Sequence, residues 1–174
     1  MKKVVGFIGV LLLTGQSVYA EEANLNVQGT VVASGCDIYT GSTNQKIKIG
    51  VFSGKDFPSV GSTSSFKAMN INLSNCYNKL TTIMVKFTGT PDEDDPTLLA
   101  LSNAGTGGQL AAGVGVELLD NSMKTIPFNS DKMYSYEIDG ESTMLSFVLR
   151  YKSTQYPVTP GDASAVLYFD LSYQ

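Results

Sequence analysis

The chain has no histidine among its 174 residues, and this removes the commonest routes to enzymatic catalysis. A Ser-His-Asp or Cys-His arrangement needs an imidazole to accept the proton of its nucleophile. A Ser-Lys pair or a pair of carboxylates remains open on composition alone. Two acidic groups have spacing worth weighing: Asp92, Glu93, Asp94 and Asp95 between Pro91 and Pro96, and Glu137, Asp139 and Glu141 around Gly140. The first reads as a stiff, solvated loop and lacks the glycine that a calcium loop needs for its turn. The second, alternating about a glycine, reads as a polar hairpin tip. Neither suggests catalysis, and no enzymatic activity, cofactor or metal is expected.

The remaining chemistry belongs to two cysteines, Cys36 and Cys76. Their compartment follows from the N-terminus. Lys2 and Lys3 precede an apolar run over residues 4–13, and Val18-Tyr19-Ala20 forms a small-residue cleavage site. That run is too short to span a bilayer, so residues 1–20 read as a secretory signal peptide. Cleavage would leave 154 of the 174 residues and, with two lysines removed, take the formal net charge from −4 to −6. In an oxidising compartment the two cysteines predict one disulfide, which would constrain the unfolded chain by ~4 kcal/mol. Two thiols without histidine are too few ligands for a metal centre. An acidic chain whose one arginine is Arg150 is a poor partner for nucleic acid or anionic lipid. No later stretch is apolar enough to insert directly in a membrane.

The elements that position these residues read as strands. Short runs rich in Val, Ile, Phe, Thr and Tyr recur between Gly, Pro, Asn and Ser clusters. Strands are predicted over residues 27–39, 46–51, 66–73, 82–88, 114–119, 144–152 and 163–173, with 98–101 a short strand or a helical turn. Such spacing in one domain predicts an all-β sandwich or barrel. Both ends of the processed chain are patterned. Ala23, Leu25, Val27, Gly29 and Val31 share one face of an N-terminal segment. Ala165, Leu167, Phe169, Leu171 and Tyr173 share one face of a strand that runs to the last residues. Termini fray unless tied down, so each needs a sheet. The pattern leaves open whether the N-terminal segment joins its own sheet or another molecule's.

Several fragments in order carry a resemblance. Gly29 and Val31-Val32 come shortly before Cys36, and Ile71-Asn72-Leu73 precedes Cys76. Phe87-Thr88-Gly89 leads to Leu98-Leu99-Ala100-Leu101 and then to 114–120. Gly161 stands fourteen residues from the C-terminus, counted inclusively, and Tyr173 is penultimate. The chain resembles pilins of the chaperone–usher pathway, most closely the minor or adaptor tip subunits of type 1 fimbriae.

The resemblance implies an incomplete immunoglobulin-like β-sandwich of six strands, lacking its last, completed by a donor strand from another subunit. It implies a donor extension over residues 21–33, a pilin domain over 34–174, and surface fimbriae as the destination after export through the periplasm. The implied partners are a periplasmic chaperone, an outer-membrane usher and neighbouring subunits. Leu25, Val27 and Val31, with Ala23 as a smaller contact, would fill pockets of a neighbour, and Gly29 would meet a shallow one. The groove wall, which the chaperone would also bind, would be the strand carrying Ala165, Leu167, Phe169, Leu171 and Tyr173, with Gly161 as the turn that opens it. Two other readings compete: a major shaft pilin, and a single-domain exported glycan-binding sandwich. Nine tyrosines support the latter, and the absence of tryptophan weakens it.

Overall fold

The computed structural model describes residues 35–102, 108–138 and 140–174, all within one compact unit, Ala33–Gln174. The strands are β1 (Asp37–Ile38), β2 (Lys67–Ser74), β3 (Thr82–Gly89), β4 (Val114–Leu119), β5 (Tyr134–Glu137), β6 (Thr143–Ser153) and β7 (Leu167–Tyr173). They form a four-stranded sheet, β1-β2-β6-β4, and a three-stranded sheet, β5-β3-β7. Every pairing is antiparallel. The fold is all-β, an immunoglobulin-like sandwich short of a strand.

Alternation builds the layers. In β2 the residues Met69, Ile71 and Leu73 are buried, and in β3 Ile83, Val85 and Phe87 are. Residues two apart share a face of a pleated strand, so each sheet presents a continuous apolar surface to the other. Leu145, Phe147 and Leu149 of β6 complete the core. Phe87 and Phe147 meet edge to face with ring centroids 4.9 Å apart, a geometry favoured by the ring quadrupole. Cys36 and Cys76 are joined by a disulfide that ties the chain before β1 to the end of β2.

Four sequence expectations change. Residues 46–51 alternate, with Ile47 and Ile49 packed on the core and Lys46 and Lys48 exposed, but they form no strand. Alternation reports one buried face, whereas a strand also needs a neighbour for its backbone, and no described strand lies beside this segment. Of the segment 27–39, the structure assigns Asp37–Ile38 to a strand, while residues 27–34 lie outside the described ones. The C-terminal strand begins at Leu167, four residues later than expected. Glu137 and Glu141 do not flank a hairpin: β5 and β6 belong to different sheets, so their link is a crossing between layers. β5 itself was not expected, because four residues are too short a run for its Tyr-Ser-Tyr-Glu alternation to stand out.

The acidic loop is also less free than its composition suggests. Asp95 Oδ2 accepts from Lys152 Nζ at 3.2 Å, and Asp94 Oδ2 from Gln155 Nε2 at 2.7 Å. Asp92 Oδ1 accepts the amides of Asp94 and Asp95 at 3.0 and 3.2 Å, folding the loop on itself. The stretch 98–101 forms neither a helical turn nor a named strand: Leu99 is bridged to Pro91 and to Val116 of β4. Among the described residues no helix is long and apolar enough to cross a membrane.

Candidate functional site, the edge of the C-terminal strand

The candidate site is the strand edge at β7. In the order β5-β3-β7, β7 pairs with β3 and has no described strand on its other side. Its backbone groups on that edge are therefore without a ladder, the condition that invites another strand. The side chains carry the same asymmetry. Phe87, Val85 and Ile83 of β3 are 2%, 0% and 0% exposed. Their partners across the register, Phe169, Leu171 and Tyr173, point to the same core yet are only half-buried. Leu167 and Ala165 continue this row, and Ile47, Ile49 and Leu101 are likewise half-buried against the core.

The strand is held firmly at its end. Gln174 donates its amide to the Thr82 carbonyl at 3.0 Å, and its carbonyl accepts from the amides of Thr81 and Thr82. The Tyr173 hydroxyl donates to the Cys36 carbonyl at 3.3 Å. Its ring lies so close over Gly35 that a Cβ there would collide with it. The terminal strand is thus fixed to β3 and to the disulfide-bonded segment.

Gly161 plays a different part from an ordinary turn. A Cβ at this position would run into the backbone of residues 109–111, and the adjoining Asp162 exchanges backbone hydrogen bonds with Gln109 and Ala111 at 2.7 and 2.9 Å. Glycine is required because two backbones pass in contact. This crossing lies six residues before β7 and sets where the chain enters it. Of the residues singled out in sequence, Cys36, Cys76, Ala165, Leu167, Phe169, Leu171 and Tyr173 all pack on the one core. Gly161 stands apart at the crossing. Ala23, Leu25, Val27, Gly29 and Val31 lie outside the described residues, as does the leader.

Sequence reasoning missed the ion pair of Glu117 and Arg150. Arg150 Nε donates to Glu117 Oε2 at 2.6 Å, and Thr125 Oγ1 donates to Glu117 Oε1 at 3.0 Å. Glu117 is 4% exposed, so the pair is structural rather than a contact site. The lone arginine was the available signal, since guanidinium groups are favoured where a carboxylate must be buried.

With this geometry in view, comparison with known proteins is informative. The pattern that defines the family "Fimbrial protein" matches residues 25–174. The fimbrial-like protein YcbU of Escherichia coli K12 is 38% identical over 172 residues, covering 98% of this chain and 95% of that protein. The probable major fimbrial subunit LpfA of Escherichia coli O157:H7 is 34% identical, covering 100% of this chain and 98% of its own. Among solved structures, the Burkholderia pseudomallei antigen and type I fimbria protein BPSL1626 superposes with a TM-score of 0.60 at 31% identity, over 80% of this chain and 90% of that one. The P pilus rod subunit PapA shares the fold, with a TM-score of 0.67 at 22% identity, over 81% of this chain and 100% of its own. Fimbrial subunits polymerise with other subunits in pili at the cell surface. The chain belongs to the fimbrial protein family and is a fimbrial subunit.

Proposed function

We propose that this subunit polymerises by donor-strand complementation, accepting a neighbour's N-terminal segment along β7 and donating its own residues 21–33 to the next subunit. The observation that carries the reading is the contrast across one register: β3 side chains sealed from water, and their β7 partners half-open. An added strand would satisfy the free backbone edge and cover this apolar row, the mode of recognition in which main-chain pairing gives affinity and alternate side chains give specificity. Leu25, Val27 and Val31 would each contribute roughly 1.5–3 kcal/mol if fully buried, with Ala23 adding less and Gly29 fitting a shallow position. A periplasmic chaperone would cover the same edge first, and an outer-membrane usher would exchange it for the next subunit.

In this reading the subunit occupies a minor or adaptor position. A shaft role is favoured by one finding, the 34% identity to a relative described as a probable major subunit. Copy number in purified fibres separates the two: a few copies per fibre supports the adaptor, and dominance of the fibre mass supports the shaft. The mechanism is tested by deleting residues 21–30. The truncated chain should still bind its chaperone yet fail to insert into the preceding subunit. Normal entry of the truncated chain into fibres would refute donation by this segment.

A further inference from the structure

A second feature lies on the other edge of the three-stranded sheet. There β5, the turn after β4 and the middle of β6 enclose a shallow cleft lined by Asp120, Asn121, Ser122, Tyr134, Ser135, Tyr136 and Ser146. We propose that this cleft is a binding site for a neutral saccharide.

The chemistry of the lining suits a polyol. One carboxylate, one amide and five hydroxyls line a single surface depression. Adjacent hydroxyls of a sugar ring are both donors and acceptors, so they are matched by a carboxylate and an amide held side by side. Asp120 is held in place by its turn, since Oδ1 accepts the amides of Ser122 and Lys124 at 2.8 and 2.9 Å. Its second oxygen is left for a ligand. Among the described residues, the Asn121 amide, the Ser122 and Ser146 hydroxyls and both phenols hydrogen-bond to no other protein group. They line the cleft, where water or a polyol must satisfy them.

The tyrosines add donors and an apolar surface. Burial first, and the Asp120 charge second, push the Tyr136 phenol up to about 12, and the same causes raise Tyr134. Both phenols therefore keep their protons at neutral pH and can donate. Their rings are seated: Tyr136 packs edge-on to Phe147 with centroids 5.7 Å apart, and Tyr134 and Tyr136 both rest on the core. Seated aromatic rings cost little entropy when a ligand packs against them.

Charge selects the ligand's class. Asp120 stands in the cleft of a chain whose formal net charge is −4, so sialic acids, uronates and phosphates are disfavoured there. Position leaves the cleft usable in a fibre, because β5 and β7 flank β3 on opposite sides. A strand added at β7 does not cover it.

The test uses fibres of the full mature chain, titrated by saturation-transfer NMR and calorimetry. The probes are oligosaccharides ending in galactose, mannose, fucose or glucose, with a sialylated counterpart of each. At least one neutral probe should bind saturably and more tightly than its sialylated form. Asp120→Asn keeps the turn's acceptor but removes the charge, and should weaken binding about tenfold. Tyr136→Phe keeps the ring contact and should weaken it about threefold to tenfold. Unchanged unfolding midpoints and normal fibre assembly in both variants would assign the loss to the cleft. No saturable binding by any neutral probe would overturn the proposal. So would equal binding of the sialylated forms, or full affinity in Asp120→Asn. Fibre assembly is read separately, so failure here leaves polymerisation through β7 untouched.

Discussion

β4 and β7 both end the order of their sheets, and the molecule treats them in opposite ways. All six residues of β4 are buried, although only one of its sides is covered by a full strand, β6. The chain itself closes the other side: Leu99 exchanges amide hydrogen bonds with Val116 at 2.8 and 3.0 Å, and Ile126 donates to the Leu118 carbonyl at 2.9 Å. β7 receives no such cover from any described residue, and its core-facing row stays half-open. An exposed strand edge is a hazard that proteins usually blunt. Here one edge is blunted by the chain's own loops while the other keeps its apolar face, which is the expected condition of an edge reserved for a partner.

The comparison can be broken most forcefully at the sealed edge. Arg150→Met would strand the Glu117 carboxylate in a buried place with only Thr125 as partner. Removing one member of a buried pair costs about 3–5 kcal/mol, because the remaining charge is desolvated without compensation. A double substitution, Glu117→Leu with Arg150→Met, should recover most of the loss. Denaturant unfolding of the strand-complemented subunit measures both. A loss below about 1 kcal/mol in the single variant would mean that water reaches β4, and the contrast between the edges would fail.

The open edge gives a smaller effect, and one that depends on occupancy. Phe169→Ala removes a ring that is half-exposed in the free subunit and packed opposite Phe87. With a donor peptide of residues 21–33 bound, the ring becomes core, and the substitution should cost about 3–5 kcal/mol. Without the peptide the cost should be about half as much, since less surface is removed from contact. Equal costs in the two states would show that nothing covers Phe169 on binding.

How far this contrast was legible in sequence depends on what each residue reports. The alternation of Leu167, Phe169, Leu171 and Tyr173 announced a half-buried strand, and the two cysteines announced their bond. Alternation encodes which face is buried, so it served β2, β3 and β6 equally well. It does not encode whether a strand lies alongside, which is why residues 46–51 alternate without forming one. The sealing of β4 was invisible because it rests on contacts remote in sequence, Leu99 with Val116 and Arg150 with Glu117. Gly161 was recognised as special, but the cause, a backbone crossing with residues 109–111, needed the fold. The saccharide cleft was equally hidden: β5 is too short to declare itself, and Asp120 reaches Tyr134 and Tyr136 only through sheet packing.

The smallest effect concerns acid. The loop that caps β4 is tied to β6 by Asp95, whose carboxyl is held below the ordinary aspartate value of 3.8. The Thr97 hydroxyl bond at 2.6 Å is the largest cause, partly opposed by burial, with Lys152 adding a further pull. A depressed carboxylate stabilises the fold fully above its unfolded pKa and loses that contribution as pH falls through the folded one. The relevant window therefore opens near pH 3.8 and extends downward. Asp95→Asn keeps an acceptor for Thr97 but carries no charge, so it should be less stable than wild type at neutral pH by about 0.2–1 kcal/mol, the scale of partly exposed pairs. The gap should close as pH drops below that window, because the wild-type carboxyl is then neutral too. Thermal unfolding of both forms from pH 6 to pH 2.5 measures this convergence. Parallel curves across the whole range would mean that Asp95 does not clamp the cap, leaving the backbone bridge of Leu99 and Val116 to close the β4 edge unaided.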